Sequence, residues 1–349
     1  MPPTAVHFNG SVNLSDTETV FRELVTQVPV GVRRLPDGET GDRRNWIVFQ
    51  LHKFRQTPGI EEADVSDQFA EKRQPMPKVR LAEGADPSLI PWPDLGYATA
   101  YHESFQTFQR LRKEGSLPKG IRFQAQYPTP LASVSAWFVE EDQQRVEAPY
   151  QAALFADLDR LLATVPHDQL AVQWDVAVEF SILERGLVTA PWQSLDTIVQ
   201  RLVECVHRVP RDVPVGMHLC YGDNEHQHFV EPESLWTQVR LVNAVTEAAE
   251  RRVNWFSFTV PQDKREPSFF EPLGELRAAR ESELYFALVP YYPARQEPGT
   301  TDTQVRLIDE HLGRAEWGIC TECGMARAEQ TDIPTLLEKH REILAAYAR

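Results

Sequence analysis

Residues 214–221 read Pro214-Val-Gly-Met-His-Leu-Cys-Tyr221, a short apolar run that begins at a proline and carries a histidine and a cysteine near its end. Runs of this kind, bounded by turn-forming residues, are typical of buried β-strands. Alternate residues of a strand point to the same face, so we expect His218 and Cys220 to lie side by side. A third soft ligand from another strand would complete a zinc site.

Seven further runs share these properties. In chain order the eight predicted strands are Ala5–Val12, Gly31–Asp37, Ile121–Tyr127, Leu170–Val178, Pro214–Tyr221, Val253–Val260, Glu283–Tyr291 and Glu316–Glu322. Amphipathic stretches typical of helices lie between them. The first opens with a capping-box spacing between Ser15 and Glu18. The others cover Ala148–Ala163, Leu195–Val206, Glu233–Ala249, Thr303–Leu312 and Pro334–Ala346. This alternation predicts an α/β protein with a (β/α)8 TIM barrel, and a doubly wound open sheet is the alternative.

The interval from about residue 43 to residue 101 is rich in proline and charge. It is too long for a simple connection, so we interpret it as an insertion after the second strand that covers the barrel mouth. No linker-like segment divides the rest of the chain. We therefore predict a single domain over residues 1–349.

Composition narrows the functional classes. The 349-residue chain has a formal net charge of −15, which argues against nucleic acid and anionic membranes as main partners. No apolar run approaches the ~20 residues that span a bilayer, and the amino terminus lacks the features of a secretory signal. A cytoplasmic location is expected. Four cysteines in a chain of this size favour metal ligands or buried apolar residues over a disulfide framework.

Polar residues lie in or at the carboxyl-terminal parts of the predicted strands, where TIM barrels carry their catalytic groups. They are Gly10-Ser11, Asp37-Gly38-Glu39, Gln173-Trp174-Asp175, His218-Leu219-Cys220 and Cys323. Two carboxylates at neighbouring strand ends, Glu39 and Asp175, are predicted to bind a substrate ammonium group. Glu39 has an alternative interpretation as an ion-pair partner of Arg33, Arg34 or Arg43, and Asp175 as part of a buried network.

These motifs resemble the catalytic domain of cobalamin-independent methionine synthase. Gly10-Ser11, Asp37-Gly38-Glu39, Trp174-Asp175, His218-Leu219-Cys220-Tyr221 and Cys323-Gly324-Met325-Ala326-Arg327 occur in the order of that family's motifs. The resemblance extends to the superfamily of uroporphyrinogen decarboxylase and the zinc-dependent methyltransferases that use corrinoid proteins. It spans nearly the whole chain, and it covers only the catalytic one of the methionine synthase's two barrels.

The resemblance implies that His218, Cys220 and Cys323 bind Zn²⁺, and that the metal takes up the sulfur of homocysteine for methylation by a folate. It also implies that Glu39 and Asp175 bind the substrate amino group, while Gly10 and Ser11 bind its carboxylate. The expected activity is zinc-dependent transfer of a methyl or other alkyl group to a small thiol. A folate, a corrinoid protein and a small methylated compound all remain open as the methyl donor.

Two stretches depart from the family pattern. The family's zinc-binding Glu follows the sixth strand, where this chain reads Trp255-Phe-Ser-Phe-Thr-Val-Pro261 with no carboxylate before Asp263. Water, substrate, Asp263 or another residue would then be the fourth ligand. The family's catalytic His follows the seventh strand, where Tyr291 or Tyr292 would donate the proton. An unperturbed phenol, with a pKa of about 10, is a weaker acid than histidine at neutral pH.

Other interpretations stay open. Cys320 has the spacing to chelate a metal with Cys323 and would make a closed, structural four-ligand site. An open site is favoured because residues three apart in a strand face opposite sides, which would turn Cys320 away from the mouth. Tyr127 ends the third strand and is predicted to line the site. A metal-free lyase or decarboxylase using Asp175, Tyr127 and arginines, and a non-catalytic binding barrel, are the alternative functions.

Overall fold

The computed structural model describes residues 3–63, 77–222, 227–314 and 316–347. The strands of this part of the chain are β1 (Ala5–Val6), β2 (Arg34–Pro36), β3 (Ile60–Ala63), β4 (Lys78–Leu81), β5 (Arg122–Pro128), β6 (Leu170–Val176), β7 (Val215–Leu219), β8 (Trp255–Phe258), β9 (Glu283–Ala287) and β10 (Gly318–Cys320). The helices are α1 (Thr17–Gln27), α2 (Val48–Arg55), α3 (Tyr97–Lys113), α4 (Pro130–Trp137), α5 (Glu140–Thr164), α6 (Val178–Leu183), α7 (Leu195–Arg208), α8 (Trp236–Ala248), α9 (Pro267–Phe270), α10 (Thr300–Leu312) and α11 (Ile333–Tyr347).

Eight of the strands form one parallel sheet in the order β1-β10-β9-β8-β7-β6-β5-β2. Its two edge strands meet, because parallel bridges join Val6 to Val32 and Ser11 to Gly38. The backbone N–H of Val6 donates to the Gly31 carbonyl at 3.0 Å, and the N–H of Val12 donates to the Gly38 carbonyl at 2.8 Å. The sheet therefore curls into a (β/α)8 barrel, which confirms the predicted fold class and excludes the open doubly wound sheet.

All eight predicted strands are present, and seven of them are shorter than predicted, whereas β5 has the predicted length and lies one residue later. β1 ends at Val6 and β9 at Ala287, several residues before the predicted ends at Val12 and Tyr291. In a parallel barrel the apolar pattern continues from the strand into the loop that turns over its end, so the pattern overestimates strand length.

Several helix starts differ from the prediction, and two of them have a clear physical reason. Asp16, rather than Ser15, caps α1, and its carboxylate accepts from the Thr19 N–H at 2.8 Å. α5 begins at Glu140 and contains Pro149 within its length. A proline is typical of a first helical turn, which explains why the predicted helix begins one residue before it.

Helices α3 and α4 were not predicted, and both contribute to the layer outside the barrel. Tyr97 and Tyr101 of α3 are buried against Tyr127 of β5, with ring centroids 5.1 Å and 5.6 Å away. Each fully buried ring of this kind stabilises the fold by roughly 1.5–3 kcal/mol. Tertiary packing, rather than a clear sequence signal, defines this helix layer.

The proposed insertion over residues 43–101 lies partly outside the described residues. Its described part contains α2, the antiparallel pair β3 and β4, and the first turn of α3. Trp46, Ile47, Val48 and Leu51 from its beginning line a cavity at the carboxyl ends of the barrel strands. The limits of the insertion and of the single domain stay a prediction.

The opposite, amino-terminal end of the barrel is filled by paired polar groups. Arg34 forms an ion pair with Glu283, which also pairs with Arg33 at 2.9 Å. The Tyr285 hydroxyl donates to Glu283 at 2.7 Å, and the Arg34 guanidinium lies 3.9 Å from the Trp255 ring centroid. We call these five residues the amino-terminal plug. Their charges compensate one another inside the barrel.

Candidate metal centre and its cavity

Three side chains from two parts of the barrel converge at its mouth. His218 lies in β7, Cys220 directly follows that strand, and Cys323 follows β10. One ring nitrogen of His218 and the sulfurs of Cys220 and Cys323 all lie within 4.8 Å of one another. These are the three residues that the sequence predicts as metal ligands, and the structure brings them together.

The backbone after β7 places the Cys220 sulfur. The Cys220 N–H donates to the Val176 carbonyl at 2.9 Å, which extends the pairing with β6 by one residue. Gly222 then adopts φ +83°, where a β-carbon would lie 2.6 Å from the Phe229 ring. Its N–H donates to the Cys220 sulfur at 3.2 Å, a contact that favours a sulfur carrying negative charge.

The donor set fits a zinc ion. Nε2 of His218 is buried and has no hydrogen-bond partner among the described residues, whereas Nδ1 lies 3.1 Å from the Ser257 hydroxyl. A histidine that binds zinc commonly uses one ring nitrogen for the metal, while its other ring nitrogen forms a hydrogen bond to a neighbouring residue. The neighbouring Cys220 and then burial raise the pKa of the Cys323 thiol well above its ordinary value. A divalent cation would stabilise the deprotonated, negatively charged form of both sulfurs and so lower the pKa of the thiols.

The three residues open into a cavity of about 310 Å³. Its base is polar and includes Asn9, Ser11, Glu39, Asp175 and the three candidate ligands. The other walls are largely apolar, and their side chains include Trp46, Ile47, Leu51, Trp137, Val178, Val188 and Phe229. Arg44 and Arg327 also border the cavity. A small polar group at the base and an apolar group above it match this lining.

Glu39 and Asp175 both line the cavity, and their role as an ammonium site stays a prediction. Burial, and then the negative charge of Asp175, raise the pKa of Glu39 well above its ordinary value, while Arg43 opposes the shift. Burial raises the pKa of Asp175 to about 6, against the opposing effects of His218 and of a hydrogen bond from Gln173. Arg43 itself pairs with Asp37. A cation between the two carboxyl groups would relieve their mutual repulsion.

The backbone around this base is strained. Glu39 has φ +48° and Trp46 has φ +52°, and both line the cavity. Non-glycine residues in this region of φ cost about 1 kcal/mol or more each, and such strain is concentrated at functional sites.

Ser11 borders the cavity and Gly10 lies beside it. Gly10 has φ +147°, and a β-carbon there would lie 3.3 Å from the Gln126 side chain. The Ser11 backbone contacts the loop that carries Cys323, because its carbonyl accepts from the Met325 N–H. The predicted carboxylate-binding role of these two residues stays a prediction.

Three predicted aromatic residues lie elsewhere. Tyr127 is not among the residues that line the cavity, since its hydroxyl donates to Asp157 of α5 at 3.0 Å, in the helix layer. Tyr291 and Tyr292 line a neighbouring cavity, and of the described residues Gly222 and Cys323 line both cavities. The Tyr291 hydroxyl donates to the Cys323 carbonyl at 3.1 Å, so it contacts the Cys323 loop.

Cys320 and Asp263 are not part of the three-residue group. The Cys320 thiol is buried and bonds to the Asn9 side chain, so the expectation that it turns away from the mouth is wrong. β10 ends at Cys320, and the alternation of faces does not extend through the turn to Cys323. Asp263 lines the neighbouring cavity.

Sequence reasoning missed Asn9, Ser257 and Trp46. Ser257 is the Cα partner of His218 across β7 and β8, and its hydroxyl contacts the histidine ring. It lies within the stretch where the resembled family has its zinc-binding Glu. A serine in place of the family's glutamate, on a predicted buried strand, could have indicated that Ser257 contacts the site. Asn9 and Trp46 had no comparable signal, because their contacts depend on strands and loops far away in sequence.

No protein-family model matches the chain, and no curated protein matches it significantly. Among solved structures, the chain is similar to a B12-independent methionine synthase from Shewanella sp. W3-18-1 in complex with selenomethionine, at 12% sequence identity and a TM-score of 0.61. The match covers 99% of this chain and 97% of that chain. A Listeria monocytogenes protein provisionally identified as a vitamin-B12-independent methionine synthase matches at 11% identity and a TM-score of 0.55, over 98% of each chain. The chain therefore shares the fold of these structures.

Proposed function

We propose that the protein transfers a methyl or other alkyl group to the sulfur of a small amino-acid thiol such as homocysteine, with Zn²⁺ bound by His218, Cys220 and Cys323. The observation that carries the proposal is the convergence of one ring nitrogen and two sulfurs within 4.8 Å at the base of a cavity. Three protein ligands that face a cavity leave a coordination position for substrate, as in catalytic zinc sites.

An open site is supported by where the other possible ligands lie. Within the described ranges, the candidate group contains neither Cys320 nor Asp263. Ser257 contacts His218 rather than supplying a carboxylate to the group. Zinc bound here would lower the pKa of an incoming thiol, so that its sulfur is a nucleophile at neutral pH.

The chain's own residues would bind and orient the substrate. Asp175 and Glu39 would accept hydrogen bonds from the substrate ammonium group, and Ser11 would donate to its carboxylate. These contacts would hold the substrate sulfur beside the candidate ligands and supply the advantage of proximity. The sulfur would form a bond to the donor's alkyl carbon, and the leaving group would keep the electron pair of the broken bond.

The apolar walls would exclude water from the alkyl group during transfer. Trp46, Leu51, Val188 and Phe229 form part of these walls. A folate, a corrinoid protein or a small methylated compound would be the donor. A catalytic proton from Tyr291 or Tyr292 stays a prediction, and the contact of Tyr291 with the Cys323 loop supports a role in holding that loop.

The proposal is tested by loading the metal-free protein with Co²⁺ and titrating it with L-homocysteine. We expect one Co²⁺ per chain and a new sulfur-to-cobalt charge-transfer band when the thiol binds. L-Homoserine, which has a hydroxyl in place of the thiol, is the matched control and should leave this band absent. A protein that binds no stoichiometric Co²⁺ or Zn²⁺, or a cobalt spectrum unchanged by homocysteine, would contradict the proposal.

A metal-free reaction is the second candidate, and the raised pKa values of Glu39 and Asp175 favour it. A carboxyl group whose pKa is raised keeps its proton to a higher pH than an exposed carboxyl group and can act as a general acid in a lyase or decarboxylase. Full activity after removal of all metal by a chelator would select this candidate over zinc-dependent transfer.

A further inference from the structure

The candidate ligand His218 is held by a hydrogen-bond chain that starts outside its own strand. Its Nδ1 lies 3.1 Å from the hydroxyl of Ser257, and the Ser257 hydroxyl lies 2.8 Å from Oδ1 of Asn9. Nδ2 of Asn9 donates to the Thr321 carbonyl at 2.6 Å. Asn9 and Ser257 are both buried, and buried polar groups of this kind are normally satisfied by hydrogen bonds within the protein.

The direction of each bond follows from which atoms can donate. The Thr321 carbonyl only accepts, so the amide nitrogen of Asn9 faces it and the amide oxygen faces Ser257. That oxygen also only accepts, so the single hydroxyl proton of Ser257 is directed to Asn9. The Ser257 oxygen must then accept from His218, which places the proton of the neutral imidazole on Nδ1.

The consequence concerns the other ring nitrogen. With the proton on Nδ1, Nε2 carries a free lone pair, and Nε2 is the atom that has no partner among the described residues. Neutral imidazole binds a metal through such a lone pair. The chain therefore fixes the tautomer that a metal ligand requires.

The same asparagine is connected to two other parts of the site. Thr321, which accepts from Asn9, donates from its hydroxyl to the Cys323 carbonyl at 2.5 Å. The backbone carbonyl of Asn9 accepts from Gln173 at 2.6 Å, and the same Gln173 amide donates to Asp175 at 2.9 Å. Asn9 thus joins the histidine ligand, the Cys323 loop and one carboxylate of the predicted ammonium site.

We propose that Asn9 and Ser257 are positioning residues that present Nε2 of His218 to the metal, acting in series through one hydrogen-bond chain. This inference rests on the proposed metal site. Without Asn9, the Ser257 hydroxyl is free to donate to Nδ1 and leave the proton on Nε2. Without Ser257, the Nδ1 proton loses its acceptor, so the tautomer with the proton on Nε2 is no longer disfavoured. Residues that orient metal ligands in this way change metal affinity by roughly 10- to 100-fold when replaced.

The first measurement is the Co²⁺ dissociation constant, followed by the visible spectrum of the bound ion. We expect Ser257→Ala and Asn9→Ala each to weaken binding by roughly 10- to 100-fold. Because the two residues act in series, the double variant should bind about as weakly as either single variant. Ser257→Thr keeps the hydroxyl and should restore most of the affinity.

Ser282→Ala is the matched control. It removes another buried hydroxyl, which donates to the Val253 carbonyl at 2.6 Å near the start of β8, at the far end of the barrel. It should leave the Co²⁺ dissociation constant unchanged within about twofold. Circular dichroism of every variant checks that the fold is retained. Equal weakening by Ser282→Ala would show a general effect on the fold and would overturn the inference.

The second measurement reads the tautomer in metal-free protein, by long-range ¹⁵N–¹H NMR correlations of the histidine rings. The His218 signals are identified by their loss in His218→Gln. We expect the Nδ1–H form in wild type and a mixture with the Nε2–H form in Ser257→Ala.

The outcomes separate this inference from the proposed function. Wild-type protein that binds Co²⁺ while Ser257→Ala binds it equally well overturns the inference and leaves the function standing. Wild-type protein that binds no Co²⁺ but shows the Nδ1–H form lost in Ser257→Ala overturns the metal function and keeps the positioning chain. A wild-type ring in the Nε2–H form overturns the inference by itself.

Discussion

The two ends of the barrel bury polar groups in opposite ways. At the amino-terminal plug, two arginines flank Glu283. Burial by itself would raise the pKa of Glu283, but the positive charge of Arg34 and the other contacts outweigh burial, and the pKa is lowered. At the other end, burial raises the pKa of Asp175 at the mouth to about 6 and that of Glu179 in the adjoining helix α6 to about 7. One oxygen of Glu179 has no hydrogen-bond partner in the described part of the chain. Paired buried charges fill space, whereas unpaired ones cost stability and indicate a site that awaits a ligand.

The two ends of the barrel also differ in backbone strain and in how many polar atoms have partners. The mouth contains the strained Glu39 and Trp46, and it contains Nε2 of His218, which has no hydrogen-bond partner among the residues that the structure describes. The plug pairs its charged groups within itself. Stability is therefore concentrated at one end of the barrel and the candidate chemistry at the other. This division is general for TIM barrels, in which the carboxyl ends of the strands carry function.

The largest expected effect concerns the mouth. Cys323→Ala should weaken Zn²⁺ binding roughly 1,000-fold, because one of three ligands to an ion bound with ~10 kcal/mol or more is removed. Cys320→Ala is the matched control, since it removes a buried cysteine that is not in the candidate group. Its zinc affinity should change less than about 10-fold. Competition with a chromophoric chelator measures both, and equal losses would indicate the closed four-ligand site.

The second effect concerns the plug. Arg34→Met should lower the free energy of unfolding by about 3 kcal/mol, because it leaves the Glu283 carboxylate in the barrel without its buried partner. Arg33→Met removes the more exposed partner of the same Glu283 and should cost less than about 1 kcal/mol.

Urea unfolding at neutral pH measures these two variants, and metal affinity should stay unchanged in both. A loss of zinc binding in Arg34→Met, at a concentration of urea where it is folded, would show that the two ends are not independent. Equal destabilisation by Arg33→Met and Arg34→Met would show that burial of the pair is not what matters at the plug.

The smallest effect is a gain of stability with a defined pH dependence. The raised pKa of Glu179, about 7 in the folded protein, means that the folded state holds a proton that the unfolded state has released. Stability therefore falls as the pH rises from about 4.5 to 7. Glu179→Gln should raise the free energy of unfolding at pH 8 by roughly 2 kcal/mol. A difference of one pKa unit corresponds to ~1.4 kcal/mol, and the expected gain is smaller than the full value because the structure around a charged Glu179 can relax.

At pH 4, where the carboxyl group of Glu179 is protonated in both states, the variant and wild type should be about equally stable. Urea unfolding of metal-free protein at pH 4, 6 and 8 provides the comparison. Glu283→Gln is the control of opposite sign, because a lowered pKa contributes stability above about pH 4.5 that is lost in more acidic solution. A Glu179→Gln variant that is less stable than wild type at pH 8 would mean that its carboxylate is paired.

Much of this arrangement follows from local sequence. The His218-Leu219-Cys220 alternation placed two side chains on one face of a strand, and the strand and helix rhythm predicted the barrel. Tyr127 shows the limit of the same rule. Its position at the end of β5 suggested the site, yet its hydroxyl reaches Asp157 in the helix layer. Which face of a fully buried strand turns inward has no signature in an apolar run, because both faces are covered.

The sequence by itself determined the order of strands and helices, the fold class and the donor types at the strand ends, since these depend on periodicities over a few residues. The tertiary structure alone decided that Cys320 turns to Asn9 and that Asn9 and Ser257 hold the histidine ring. These contacts join residues as far apart as Asn9 and Thr321. They are set by the curvature and register of the closed barrel, which short-range patterns in the chain do not encode.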